Sequence, residues 1–155
     1  MQQGKVYISK EKQEELQQEL ESLTTVKRRE IAEQLEYAKG LGDLSENAEY
    51  HEARDSQGKL ESRIAQIEEI LKNAEILTHH KGSTIDVGST VTLQRAKETD
   101  TNTYDIVGPE EFDMATGKLS YESPLGRALI GKKKGEEFSF DTPKGKVNYK
   151  IVNVK

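Results

Sequence analysis

Residues 40–54 read GLGDLSENAEYHEAR, and the reading of this stretch decides the fold. Gly40 and Gly42, with Leu41 between them, interrupt a long charged run of helical periodicity. Behind them stand Asp43, Glu46 and Glu49, with no Lys or Arg before Arg54. Glycine suits a helix end and a tight turn because it has no Cβ to strain in the left-handed region. Helical periodicity resumes beyond, so the stretch reads as the bend between two helices.

On its C-terminal side, Tyr50, Ala53, Gln57, Leu60, Ile64, Ile67, Leu71 and Ala74 repeat at alternating intervals of three and four. That is the seam of a coiled coil with one polar member, Gln57. On its N-terminal side, Leu16, Leu20 and Leu23 keep the same spacing, as do Ile31, Leu35 and Ala38. The interval from Leu23 to Ile31 is eight instead of seven, across TTVKRRE. It reads as a local slip in register within one helix. Ser9 is the expected N-cap of that helix. Each helix runs ~30 residues, roughly 45 Å at 1.5 Å per residue. Two such helices bury only their seam and make an arm, not a globule. A hairpin that satisfies its own seam favours a monomer.

The second half changes period. STVTLQR, NTYDIVG, GKLSYES, EEFSFD and KVNYKIVNVK alternate apolar and polar residues, as half-buried strands do. Gly88, Gly108-Pro109, Gly117, Gly135 and TPKGK punctuate them, and Pro143 and Gly145 fit positions i+1 and i+3 of a type I turn between two strands. SPLGRALIG alternates too little for a strand and reads as a short helix, with Ser123 capping and Pro124 in the first turn. The expected class is therefore α+β. An antiparallel helical coiled-coil hairpin spans residues 1–78, its acidic tip at 40–50, and a small β-rich domain with one short helix spans 79–155.

Of the 155 residues 33% are charged and 33% hydrophobic, an apolar supply that suits long helices better than one large core. There are no cysteines, which excludes disulfides and thiolate metal sites. The N-terminus lacks the apolar stretch of a signal peptide and no run approaches the ~20 apolar residues of a membrane span, so a cytoplasmic protein without a membrane partner is expected. The net charge of −5 is uneven. Residues 1–78 hold 11 Lys+Arg against 17 Asp+Glu, a net of −6, and residues 79–155 hold 12 against 11, a net of +1. An acidic arm is a poor general phosphate binder, so any contact with nucleic acid is local or arranged by a partner.

Two readings of the bend use the same residues. Asp43 as N-cap with Glu46 three positions on is a capping-box-like pair at the positive end of a helix dipole. Alternatively, the two carboxylates lie about one helical turn apart at the far end of the arm and handle a metal. Mg²⁺ takes oxygen ligands, keeps several waters and commonly uses one or two carboxylates. Two carboxylates on an exposed tip cannot hold it tightly alone, but they complete a site whose other ligands come from a second macromolecule. Such a pair suits two-metal phosphoryl chemistry.

GDLSENAEYHEAR resembles the tip motif of the bacterial Gre transcript-cleavage factors, and YESPLGRALIGKKKGEE resembles the signature of their C-terminal domain. The two motifs come in the expected order about 80 residues apart, and the plan of the family covers essentially the whole chain. The resemblance implies a factor that binds bacterial RNA polymerase beside its secondary channel and inserts its coiled coil towards the catalytic centre. There its tip carboxylates help hold a second Mg²⁺, shared with the polymerase active site, so that polymerase itself cleaves the 3′ end of backtracked RNA. The factor is then an activator, not an enzyme. By motif position Asp43 and Glu46 carry this role, and Asn47, Ala48, Glu49 and Tyr50 shape the tip. Lys39 and Arg54 match the family's RNA-contacting patch. Ser123, Pro124, Arg127 and Lys132 are the surface candidates for polymerase binding, while Leu125, Leu129 and Ile130 pack on the sheet. The acidic arm points to the GreA-like branch over the more basic GreB-like one. The family's C-terminal domain resembles the FKBP prolyl isomerases, but fold does not transmit activity. Three Phe and no Trp make such an aromatic pocket hard to assemble.

Two rival readings stay open, a family paralogue that blocks the channel and a coiled-coil adaptor with an isomerase-like domain. Minor signals weigh little. His79-His80 has no spaced third ligand, His51 reads as solvent-facing, and GKKKGEE lacks the first glycine and terminal Ser/Thr of a phosphate-binding loop.

Overall fold

The first arm of the hairpin is helical from Lys10 to Gly40, but not uniformly so. In the computed structural model, which describes residues 4–78 and 82–155, helix α1 (Lys10–Ser22) passes into a π-helical turn, Leu23–Lys27, and then into α2 (Arg28–Gly40). The π turn accounts for the eight-residue interval. Its wider i→i+5 closure, seen where the Arg28 N–H donates to the Leu23 carbonyl, takes up one extra residue, so the seam resumes at Ile31. Thr24 and Thr25 serve it locally: their hydroxyls donate to the carbonyls of Leu20 (2.8 Å) and Glu21 (2.7 Å), a back-bond that bends helices.

Helix α3 (Ala48–Asn73) forms the second arm. Ala53, Leu60, Ile64 and Ile67 are buried along it against a partner stripe that includes Leu16, Leu35 and Ala38. The expected seam fails at its end, where Ile70 is buried and Leu71 only half-buried. A regular helix drifts from a strict heptad by its 3.6-residue turn, which brings the neighbouring position inward. Two bidentate pairs tie the arms in register: Arg28 to Glu61 (2.8 and 2.7 Å) and Arg63 to Glu19 (2.8 and 2.9 Å). Arginine's planar fork matches both carboxylate oxygens, so such pairs add geometric specificity. The same guanidinium bonds hold the Glu61 and Glu19 carboxyls below the usual carboxylate range.

Contacts group Glu11–Ala74 into one unit and the chain on either side, up to Lys10 and from Glu75 onward, into the other. The reason is a short two-stranded sheet, β1 (Val6–Ile8) with β2 (Ala74–Ile76), which no periodicity announces. Ser9, directly before α1, donates its backbone N–H (2.7 Å) and its hydroxyl to the Glu111 carboxylate.

The β-rich unit is a five-stranded sheet of β3 (Thr90–Arg95), β4 (Thr101–Val107), β5 (Lys118–Ser120), β6 (Glu137–Thr142) and β7 (Gly145–Val154), in the order β5-β4-β3-β7-β6. All pairs are antiparallel except β4 with β5. Alternation places Val91, Leu93, Ile106, Leu119, Phe138 and Ile151 in one buried core. The β6–β7 hairpin closes at TPKG, with Gly145 at φ +114°.

Helix α4 (Pro124–Leu129) is capped by Ser123, whose hydroxyl accepts from the Gly126 N–H (3.0 Å) and donates to the Ser120 carbonyl (2.6 Å). Leu129 is fully buried beneath it, with Leu125 and Ile130 packed on the same core. Gly126 is where α4 meets the chain after β5: a Cβ there would stand 2.0 Å from the Ser120 carbonyl oxygen and 2.9 Å from the Tyr121 Cα. Gly→Ala within a helix ordinarily stabilises by about 1 kcal/mol. Gly126→Ala is expected to do the reverse, costing about 1–3 kcal/mol through overpacking. Denaturant unfolding followed by tyrosine fluorescence checks the sign, and a gain in stability would refute the close approach.

Candidate functional site: the acidic tip of the hairpin

The tip begins where α2 runs out of residues that tolerate helix. The Leu41 N–H donates to the Ala38 carbonyl (3.1 Å), and Gly42 then turns the chain at φ +116°, a conformation that favours glycine. An irregular loop follows, and α3 starts at Ala48.

The N-cap of α3 is Asn47, not Asp43. The Asn47 Oδ1 accepts the Tyr50 N–H at 3.0 Å, three residues on. The expected Asp43–Glu46 capping pair therefore does not form, and the two carboxylates stand in the loop instead of on a first helical turn. Asp43 is engaged nearer home. Its Oδ1 accepts both the backbone N–H (3.1 Å) and the hydroxyl (2.8 Å) of Ser45, the two-residue reach of an Asx turn. These bonds, the hydroxyl's first, hold the Asp43 carboxyl below its ordinary range.

Asn47 does more than cap. Its amide Nδ2 donates to the Ala38 carbonyl at 2.6 Å, joining the start of α3 to the end of α2. At 9% exposure it is a buried polar side chain whose amide both donates and accepts. The loop is thereby closed at its base while its acidic residues stay outside. Asp43 and Glu46 are both exposed. Both bonds to Asp43 fall on Oδ1, and Glu46 makes no hydrogen bond or ion pair among the described residues. Among the described residues no group of three His, Cys, Asp or Glu side chains comes together to hold a metal.

Removing the Ser45 hydroxyl tests this local electrostatics. Hydrogen bonds to a carboxylate favour its charged form, so Ser45→Ala is expected to raise the pH at which Asp43 titrates. Carbon-13 NMR of the side-chain carboxyl reads it, and an unmoved titration would mean that the hydroxyl does not hold the charge. The stabilisation tied to this turn is present above the ordinary aspartate range and is lost as pH falls through the depressed value.

The remaining tip residues are distributed around the loop. Ala48, Glu49 and Tyr50 form the first turn of α3, Tyr50 half-buried and the other two exposed. Lys39, in the last turn of α2, lies 3.8 Å from Glu36, and Arg54 donates to Gln57 at 2.8 Å; both are exposed. In the other unit, Pro124 and Arg127 are exposed on α4, the Ser123 hydroxyl is committed to the cap, and the Lys132 Nζ stands 6.0 Å from the Phe138 ring centroid. His79 and His80 lie outside the described residues. Sequence reasoning missed the Asn47 bridge, whose one signal is an Asn directly before an Ala-Glu helix start. It also missed the Ser45 grip, signalled by Asp-x-Ser.

Residues 6–76 match the family model described as Transcription elongation factor, N-terminal, and residues 79–155 match Transcription elongation factor, GreA/GreB, C-term. Over 150 residues the chain is 43% identical to transcription elongation factor GreA of Geobacillus kaustophilus, covering 96% of this chain and 95% of the relative. It is 40% identical to GreA of Thermosipho melanesiensis, covering 97% and 96%. A solved structure of GreA factor homolog 1 (Gfh1) of Thermus thermophilus is 31% identical and covers 97% of this chain and 99% of that one, at a TM-score of 0.43. The chain belongs to the GreA/GreB family of transcription elongation factors and is GreA-like.

Proposed function

We propose that the protein is a transcript-cleavage factor that binds bacterial RNA polymerase at its secondary channel and inserts the hairpin tip towards the catalytic centre. There it stimulates polymerase's own cleavage of the 3′ end of backtracked RNA. The protein is then an activator without a reaction of its own. One observation carries the reading. The loop is closed at its base by Asn47, yet it leaves the Glu46 carboxylate and the second oxygen of Asp43 exposed and unspent.

Hard carboxylate oxygens fit Mg²⁺, and a pair without a third ligand fits an ion whose remaining ligands come from polymerase, RNA and water. An Mg²⁺ ion held there by Asp43 and Glu46 would supply charge neutralisation and make a water more acidic. Asp43 and Glu46 supply oxygen ligands at the tip. Asn47 keeps the loop closed while they do so, and Lys39 and Arg54, exposed on either side, meet RNA phosphates. Pro124, Arg127 and Lys132 offer the polymerase-binding surface beside Ser123, which sets α4. The hairpin buries its own seam, so the factor works as a monomer. No described helix is long and apolar enough to cross a membrane, and a polymerase partner puts the protein in the cytoplasm.

The test is a backtracked bacterial elongation complex carrying 5′-labelled RNA. With Mg²⁺ the protein is expected to shorten that RNA. Binding to polymerase without shortening would overturn the cleavage reading in favour of channel blocking.

A further inference from the structure

The sequence reads His51 as a solvent-facing side chain, and it is exposed. It is not idle. Its Nε2 lies 3.3 Å from the carbonyl oxygen of Ser45, six residues back in the loop. A carbonyl only accepts, so the contact requires the ring to carry its proton on Nε2. The ring itself is anchored. The His51 backbone N–H donates to the carbonyl of the N-cap Asn47 at 3.1 Å, and the imidazole meets the Tyr50 ring edge-on, with centroids 5.8 Å apart.

We propose that His51 is a positioning residue for the acidic tip, holding the last of the three peptides that link its two carboxylates. The Ser45 carbonyl and the Glu46 N–H belong to the same planar peptide unit. Fixing that carbonyl therefore sets the plane from which Glu46 departs. The same residue, Ser45, grips Asp43 through its N–H and hydroxyl. A single contact from the rigid helix thus restrains the backbone on both sides: Asp43 through Ser45, Glu46 through the shared peptide. Asn47 closes the base of the loop, but its side-chain bonds go to Ala38 and Tyr50 and leave residues 43–46 untouched. Without His51 that peptide plane is free to rotate, and the backbone from which Glu46 departs is no longer set relative to Ser45 and the Asp43 it grips.

The proposal rests on the cleavage reading for its consequence but not for its geometry, and the experiment separates the two. Full-length wild type, His51→Ala and His51→Gln are compared, Gln placing an amide N–H at about the reach of Nε2. Nitrogen-15 relaxation of the free protein reads backbone order at residues 43–46, and RNA shortening on backtracked complexes is measured across factor concentration. In His51→Ala, order parameters at Ser45 and Glu46 are expected to fall below about 0.6, the flexible range. The maximal cleavage rate is expected to fall about tenfold to a hundredfold, as for a small misplacement of reacting groups. The factor concentration giving half-maximal rate should stay unchanged, and His51→Gln should restore both readouts. Unchanged order at residues 43–46 in His51→Ala, or no rescue by Gln, would overturn the proposal. If wild type itself leaves RNA intact, the cleavage reading falls while the relaxation data still decide the role of His51.

Discussion

Asp43→Ala and Glu46→Ala are each expected to slow RNA shortening on backtracked complexes by about 10²–10³-fold, the usual cost of removing a group that stabilises transition-state charge. Neither change should unfold the tip. Both side chains are exposed, and the closure of the loop runs through Asn47 to Ala38 and Tyr50. Glu46→Ala, away from any such anchor, shifts stability by about 0.5 kcal/mol or less, and Asp43→Ala gives up only the two exposed bonds from Ser45. Polymerase binding, measured by competition, should be retained. Asp43→Asn separates charge from shape, because its side-chain oxygen still accepts the Ser45 bonds while its charge is gone. If charge on the tip acts in cleavage, Asp43→Asn is as slow as Asp43→Ala. Should Asp43→Asn cleave at the wild-type rate, Asp43 acts only as the acceptor that shapes the turn.

The largest expected loss of stability follows truncation of the seam. Ile67→Ala removes three carbons from a side chain with 0% exposure. Such a deletion costs the transfer free energy of the lost atoms plus that of the cavity, about 2–5 kcal/mol. The hairpin has little to set against this. Its buried apolar set is a single stripe, and much of the rest of both helices is exposed charge. Denaturant unfolding followed by the helical signal in circular dichroism is the measurement, since most helical residues lie in the two arms. Val26→Ala is the control: at 42% exposure on the π turn it should cost no more than about 0.5 kcal/mol. Equal losses from both substitutions would mean that the seam does not dominate the stability of the arm.

Much of the architecture is readable from the chain without coordinates. The three-four spacing from Ala53 to Ile67 and the alternation through Val91, Leu93 and Ile151 each became one buried face. Ser123 caps α4 as its place before Pro124 requires. These features repeat at the period of one backbone geometry, so neighbouring residues carry the whole signal. The tip was readable in composition and in its likeness to a family, but not in its bonding. Asp43 as a helix cap is sound on propensity alone. It fails because the helix starts later, at Ala48, where Asn47 takes the Tyr50 N–H, while Ser45 offers Asp43 two donors within reach.

What local pattern alone settles is therefore the two helical arms, the alternating strands, the turn positions and the place of the carboxylates at the bend. What needs the folded chain is every choice between competing partners: β1 with β2, the parallel entry of β5 beside β4, the Asn47 amide on Ala38 and the His51 ring on Ser45. The π turn belongs between the two. Its extra residue is visible in the spacing, but its form follows from the seam on either side having to face the same partner helix. Periodicity is a property of the backbone repeat and travels with the sequence. A hydrogen bond is a competition among whatever donors and acceptors chain closure brings within about 3 Å, and that set exists only once the chain has closed.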